Sequence, residues 1–205
     1  MAYSDYSLKR ARRELLVEFV EDDLFAELRD ISISPILRET LDENIPLATA
    51  IHTEKARSEL IISPILLEAR RRLDRRIGFF SGTTLDVDPN RGLVGCVDFL
   101  LARSPLQAIL REPAFVIVQA KDDNIQNTLG ECVAAMFASQ LYNERAGEGP
   151  GTIYGAVTTG SQWRFLKLER RTVTFQRAEL TINHPGQILA ALIVGVGDPS
   201  ALSKE

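Results

Sequence analysis

A chain of 205 residues, 45% hydrophobic and 25% charged, has the make-up of one well-buried globular domain and not of a disordered, collagen-like or low-complexity protein. No run approaches the roughly 18 to 20 apolar residues of a membrane-spanning helix, and the opening MAYSDYSLKRARRELL lacks the apolar stretch of a secretory signal. Cys96 and Cys132 are too few and too far apart for a disulfide framework or a zinc cluster, so a cytoplasmic location without a membrane partner is expected. The net charge is −4, yet 19 of the 24 cationic residues are arginine; charge alone neither requires nor excludes a nucleic-acid partner.

From Tyr6 to about Arg76 the pattern reads as helical. Leu15, Leu16, Phe19, Val20, Leu24 and Phe25 recur at helical spacing, with Glu18, Glu21, Asp22 and Asp23 on the other faces. Two copies of one phrase follow, opening with Ile33-Ser34-Pro35 and Ile62-Ser63-Pro64. A serine cap with proline at the first helical position explains both. The second copy also reads as a proline kink within a helix from about Thr53 to Arg76, the preferred reading because Glu54 to Leu60 is already strongly helical.

After Gly78 the period changes. Strands are expected over Phe79 to Val87, Leu93 to Ala102 and Ala114 to Ala120, the first two separated by the turn Asp88-Pro89-Asn90-Arg91-Gly92. Asp123 with Gln126 reads as a capping box for a helix to about Glu144. Strands over Ile153 to Thr158 and Trp163 to Leu168, a short edge strand over Thr172 to Gln176 and a last helix from Pro185 to about Val194 complete the order, with His184 as a helix-start residue. The expected architecture is one compact α/β domain: a helical N-terminal extension over residues 1–53, then a core over 54–205 running α-β-β-β-α-β-β-α.

Phosphate-binding and dinucleotide-binding glycine motifs and a nucleophile elbow are absent from the sequence, and the only histidines are His52 and His184. Carboxylate, amide and lysine remain as catalytic groups. Asp98 is the only charge in the apolar strand Gly95-Cys96-Val97-Asp98-Phe99-Leu100-Leu101. In Ala114 to Lys121 the polar residues Gln119 and Lys121 stand two apart at the strand end, on one face. A carboxylate buried in such a strand needs a cation: Lys121, an arginine or a metal.

Asp, about twenty residues, then [Glu/Gln]-x-Lys at the end of the next strand resembles the PD-(D/E)xK nuclease superfamily, whose fold is restriction-endonuclease-like. The likeness covers roughly Glu54 to Leu168, and the segments EKARSELIISPIL, GLVGCVDFLL, FVIVQAKDDNIQNTLGECVAAM and IYGAVTTGSQWRFLKLE resemble small stand-alone bacterial proteins of that superfamily. The resemblance implies an α-β-β-β-α-β core with a mixed central sheet flanked by helices. It also implies hydrolysis of nucleic acid, DNA in the first place, with Mg²⁺ as cofactor and Mn²⁺ as its substitute.

In that scheme Asp98 binds the metal, Gln119 offers a carbonyl oxygen where a glutamate is usual, Lys121 positions the attacking water or stabilises phosphate charge, and Glu59 reaches the metal directly or through water. Glu131, where similar proteins would carry glutamine, is a further candidate ligand that compensates for Gln119 if acid and amide have exchanged places. The bland alternatives are a structural Asp98–Lys121 ion pair and solvated helix positions for Glu59 and Glu131. Arg70, Arg71, Arg72, Arg75 and Arg76, with Arg164 beside Trp163, are candidate phosphate contacts, or a solvated face. A nuclease fold that has lost its chemistry and binds nucleic acid or serves in assembly is the alternative function. A homodimer built through the N-terminal helices is expected by analogy alone.

Overall fold

The computed structural model describes residues 1–108, 110, 114–121, 125–148, 151–197 and 202, and of 114–117, 119 and 127 the backbone only. Ser7 opens α1 (Leu8–Leu15) by accepting from the Arg10 N–H, and Leu16, in the left-handed region, ends it. Residues 18–22 then form a strand, β1 (Glu18–Asp22), and not a continuation of the helix. The helical spacing of Phe19 and Val20 yields to a non-local partner, because β1 pairs in parallel with Thr172–Gln176.

Ser34 caps α2 (Pro35–Ile51) with proline in its first turn, as the sequence indicates. The second copy of the phrase lies inside one helical rod: α3 (Glu54–Arg57), a π-helical turn (Ser58–Ile62) and α4 (Ser63–Arg72). Pro64 has no N–H for the carbonyl four residues back, and the wider turn makes room for its ring. That carbonyl, on Leu60, accepts from Asn44 Nδ2 at 2.9 Å, which ties α2 to the rod. The kink expected from the sequence is therefore a π turn.

The remaining elements are β2 (Gly78–Thr84), β3 (Cys96–Ala102), β4 (Ala114–Ala120), α5 (Ile125–Arg145), β5 (Ile153–Thr158), β6 (Gln162–Glu169), β7 (Thr172–Gln176), β8 (Leu180–Thr181) and α6 (Pro185–Val196). His184 starts α6 as expected, whereas the Asp123 cap lies outside the described residues. One sheet runs β1-β7-β6-β5-β4-β3-β2, with β8 also beside β6. β4–β5 and β1–β7 are parallel and the other pairs antiparallel, so the sheet is mixed.

Helices cover both faces. Leu100, Val157, Leu166 and Val173 pack with α1 and α5 on one side, and Phe99, Val118, Ala156 and Phe165 with α2, α4 and α6 on the other. The N-terminal segment is part of this body: Tyr3, Tyr6, Ala11, Leu15 and Val17 are all buried in the α5-side core. No helix among the described residues is long and apolar enough to cross a membrane.

Candidate active site

Strand alternation sets Asp98 on the face of β3 shared with Leu100 and Ala102, which pack on the α5 side. The β3–β4 ladder closes at the Phe99–Val118 pair, and beyond it the two strands are joined by a side chain. There Asp98 Oδ2 accepts from the Ala120 N–H at 2.8 Å. The chain leaves β4 with the Lys121 N–H donating to the Thr158 carbonyl at 2.8 Å, which fixes the root of the lysine. Gln119 stands at the level of Val157 within the β4–β5 pairing; its expected role as ligand concerns a side chain outside the described residues.

The Lys121 ammonium lies 3.7 Å from Glu131 Oε2 and 4.0 Å from Glu54 Oε2. Two helices thus deliver carboxylates to it, α5 from one side and the start of α3 from the other. Asp98 is bound to backbone instead, so the Asp98–Lys121 ion pair is replaced by a wider arrangement in which the lysine neutralises two other acids. Burial pushes the Asp98 carboxyl above the ordinary carboxylate range, against the opposing pull of the Ala120 N–H and Lys121. Burial does the same to Glu131, opposed by Lys121 and reinforced by the charge on Asp98. Two partly buried acids, each pushed up by burial and Glu131 further by the charge on Asp98, form a place where a second cation is favoured.

Glu59 is elsewhere. Its carboxylate pairs with Lys55 Nζ at 2.9 Å on the exposed side of the rod. The reason is helix phase: residues four apart share a face, whereas Glu59 lies five beyond Glu54 and so turns away from the face Glu54 presents. The acid that reaches the lysine from this helix is Glu54, which the sequence reading passed over. Its signal was the Thr53 cap, whose hydroxyl accepts from the Ala56 N–H and sets Glu54 at the first helical position.

The arginine run is occupied with the fold. Arg70 Nε donates to the Ile77 carbonyl at 3.1 Å, and Arg71 binds the buried Glu68 at 2.7 Å. Glu68 in turn accepts from both the N–H and the hydroxyl of Ser34, which pins α2 to α4. Arg75 is exposed, but the run begins about 24 Å along the rod from Glu54, at 1.5 Å per residue. Arg164 is mostly covered and pairs with Glu21 at 3.1 Å, and its neighbour Trp163 is fully buried with its indole N–H on the Gly160 carbonyl. Neither offers an open stacking or phosphate contact.

The donor set at Lys121 is oxygen only. Mg²⁺ keeps several waters and is commonly held by one or two carboxylates plus substrate phosphate. Asp98 and Glu131 fit that manner of holding, although among the described residues no group of three or more His, Cys, Asp or Glu side chains gathers as a complete metal cage. No protein-family model matches the chain, and a search of the curated proteins finds no match.

Proposed function

We propose that the protein is a Mg²⁺-dependent phosphodiesterase of the PD-(D/E)xK superfamily acting on DNA. The observation that carries this reading is that Glu131 reaches Lys121 beside the strand end where Asp98 holds the Ala120 N–H. The sheet order supports it: β2, β3 and β4 form an antiparallel meander and β5 returns parallel to β4 after α5, with a helix preceding β2. That is the α-β-β-β-α-β order which the superfamily resemblance implies.

Asp98 and Glu131 would hold the metal, with Mn²⁺ as a substitute. The bound ion would supply charge neutralisation at a phosphoryl oxygen and a more acidic water. Lys121 is placed to hold a phosphate oxygen through its ammonium and to stabilise the charge that develops during in-line attack. Glu54 and Glu131 keep that ammonium in position. Burial of Asp98 limits competing water around its carboxylate. Glu131 then supplies from α5 the negative charge that Gln119 does not supply from β4.

Cleavage of supercoiled, linear and single-stranded DNA in Mg²⁺ or Mn²⁺ tests this. Wild type is expected to cleave only with metal, and Asp98→Ala, Lys121→Ala and Glu131→Gln each to lose on the order of a hundredfold or more in rate. Full activity in Glu131→Gln would remove that residue from the scheme, and activity surviving in all three would overturn the site. Gln119 favours one other reading, a nuclease fold that binds nucleic acid without cutting it. Tight binding with no cleavage of any substrate would select it.

A further inference from the structure

Residues 1–17 carry Lys9, Arg10, Arg12 and Arg13 against only Asp5 and Glu14, in a chain whose net charge is −4. This basic segment begins beside the candidate site. The Tyr3 N–H donates to the Val94 carbonyl at 3.1 Å, two residues before β3 begins. The backbone of Tyr6 and Ser7 then passes so close to Gly130 that a Cβ there would lie 2.3 Å from the Tyr6 oxygen. Gly130 is the residue before Glu131. From that point α1 advances along α5, and Arg171, which donates to the Leu15 carbonyl at the far end of α1, lies over the Phe137 ring.

Ala11 and Leu15 are buried, which turns Lys9, Arg12 and Arg13 outward. Arg10 is taken up by Glu14 at 2.8 Å and by the Tyr6 ring. The pairs Arg12–Glu18 and Arg13–Glu14 leave both arginine side chains about two-thirds exposed, so they exchange readily for a stronger anion. Leu16 closes the row, 70% exposed and in the left-handed conformation that a branched side chain rarely adopts. An exposed apolar tip after a row of cations suits a nucleic-acid groove flanked by phosphates.

We propose that the outer face of α1 is the surface along which the phosphate backbone of duplex DNA enters the site. This rests on the functional reading above, and it puts the electrostatic contact at Lys9, Arg12 and Arg13 and not at the Arg70–Arg76 run. The test is fluorescence-anisotropy binding of a labelled DNA duplex in EDTA across a series of NaCl concentrations, so that no metal or cleavage is involved. Wild type is compared with Lys9→Gln/Arg12→Gln/Arg13→Gln and with Arg75→Gln/Arg76→Gln, all checked for fold by circular dichroism.

Each lost phosphate contact lowers the slope of log K against log salt by about 0.9, so the α1 variant is expected to lose roughly 2 to 3 from the slope and at least about tenfold in affinity. The Arg75/Arg76 variant is expected to keep most of both. Wild-type-like binding by the α1 variant, an equal or larger loss in the Arg75/Arg76 variant, or no duplex binding by wild type would overturn the proposal. Metal-dependent cleavage lost in Asp98→Ala but retained by the α1 variant would leave the active-site reading standing while this one falls. The converse is equally visible, because binding is read without metal.

Discussion

Asp98 is held by one backbone hydrogen bond in surroundings that favour its protonated form. Its folded-state pKa lies above the unfolded carboxylate value of about 4. The folded protein therefore binds the proton more tightly than the unfolded chain, and stability falls as pH rises from the unfolded value through the folded one. At neutral pH the ionised group is a net cost. Asp98→Asn, which keeps an acceptor for the Ala120 N–H, is expected to raise the melting temperature of the metal-free protein by ~1–3 °C at pH 7. The gain should vanish near pH 4, and Mg²⁺ should raise the melting temperature of wild type only. Scanning calorimetry at the two pH values with and without Mg²⁺ checks this, and a large loss of stability in the variant would indicate a purely structural carboxylate. Asp98 stands out in the sequence because it interrupts an apolar strand, and Lys121 because it follows one. Glu54 does not, since choosing between it and Glu59 requires the phase of a helix relative to the sheet.

At the scale of elements, the bounds of three strands rich in apolar and β-branched residues were readable, Ala114–Ala120, Ile153–Thr158 and Thr172–Gln176, although the last lies between β1 and β6 and not at the sheet edge as expected. β1 was not, because Glu18-Phe19-Val20-Glu21-Asp22 fits a helical period as well as a strand and only its partner decides. Leu16 is the local device that stops α1 and lets β1 begin. Its left-handed backbone costs about 1 kcal/mol in a residue with a Cβ. Leu16→Gly is therefore expected to raise the melting temperature by ~2–4 °C in thermal unfolding. The arginine run is occupied locally, Arg71 by Glu68 within α4 and Arg70 by the Ile77 carbonyl just beyond it, and only the Ser34 bonds to Glu68 need α2 beside α4.

For the molecule as a whole, the N-terminal segment is held by close backbone approach as much as by its buried tyrosines. Gly130→Ala would drive a methyl group into the Tyr6 and Ser7 backbone, which cannot yield as a flexible side chain would. Overpacking of this kind costs about 1–3 kcal/mol, and urea unfolding is expected to show the loss as a lower midpoint. Exchange of the amides in α1 should accelerate more than that of β5 or α6, because only the docking of the segment is weakened.

The β1–β7 pairing also governs how the chain is made. Glu18 meets Thr172, so the edge strand waits for about 150 residues of synthesis before its partner exists. At translation rates of roughly 5–20 residues per second that interval is on the order of 10 s. Through it β1 has no strand to pair with. A chain stopped short of Thr172 would therefore leave β1 unpaired and open to proteases.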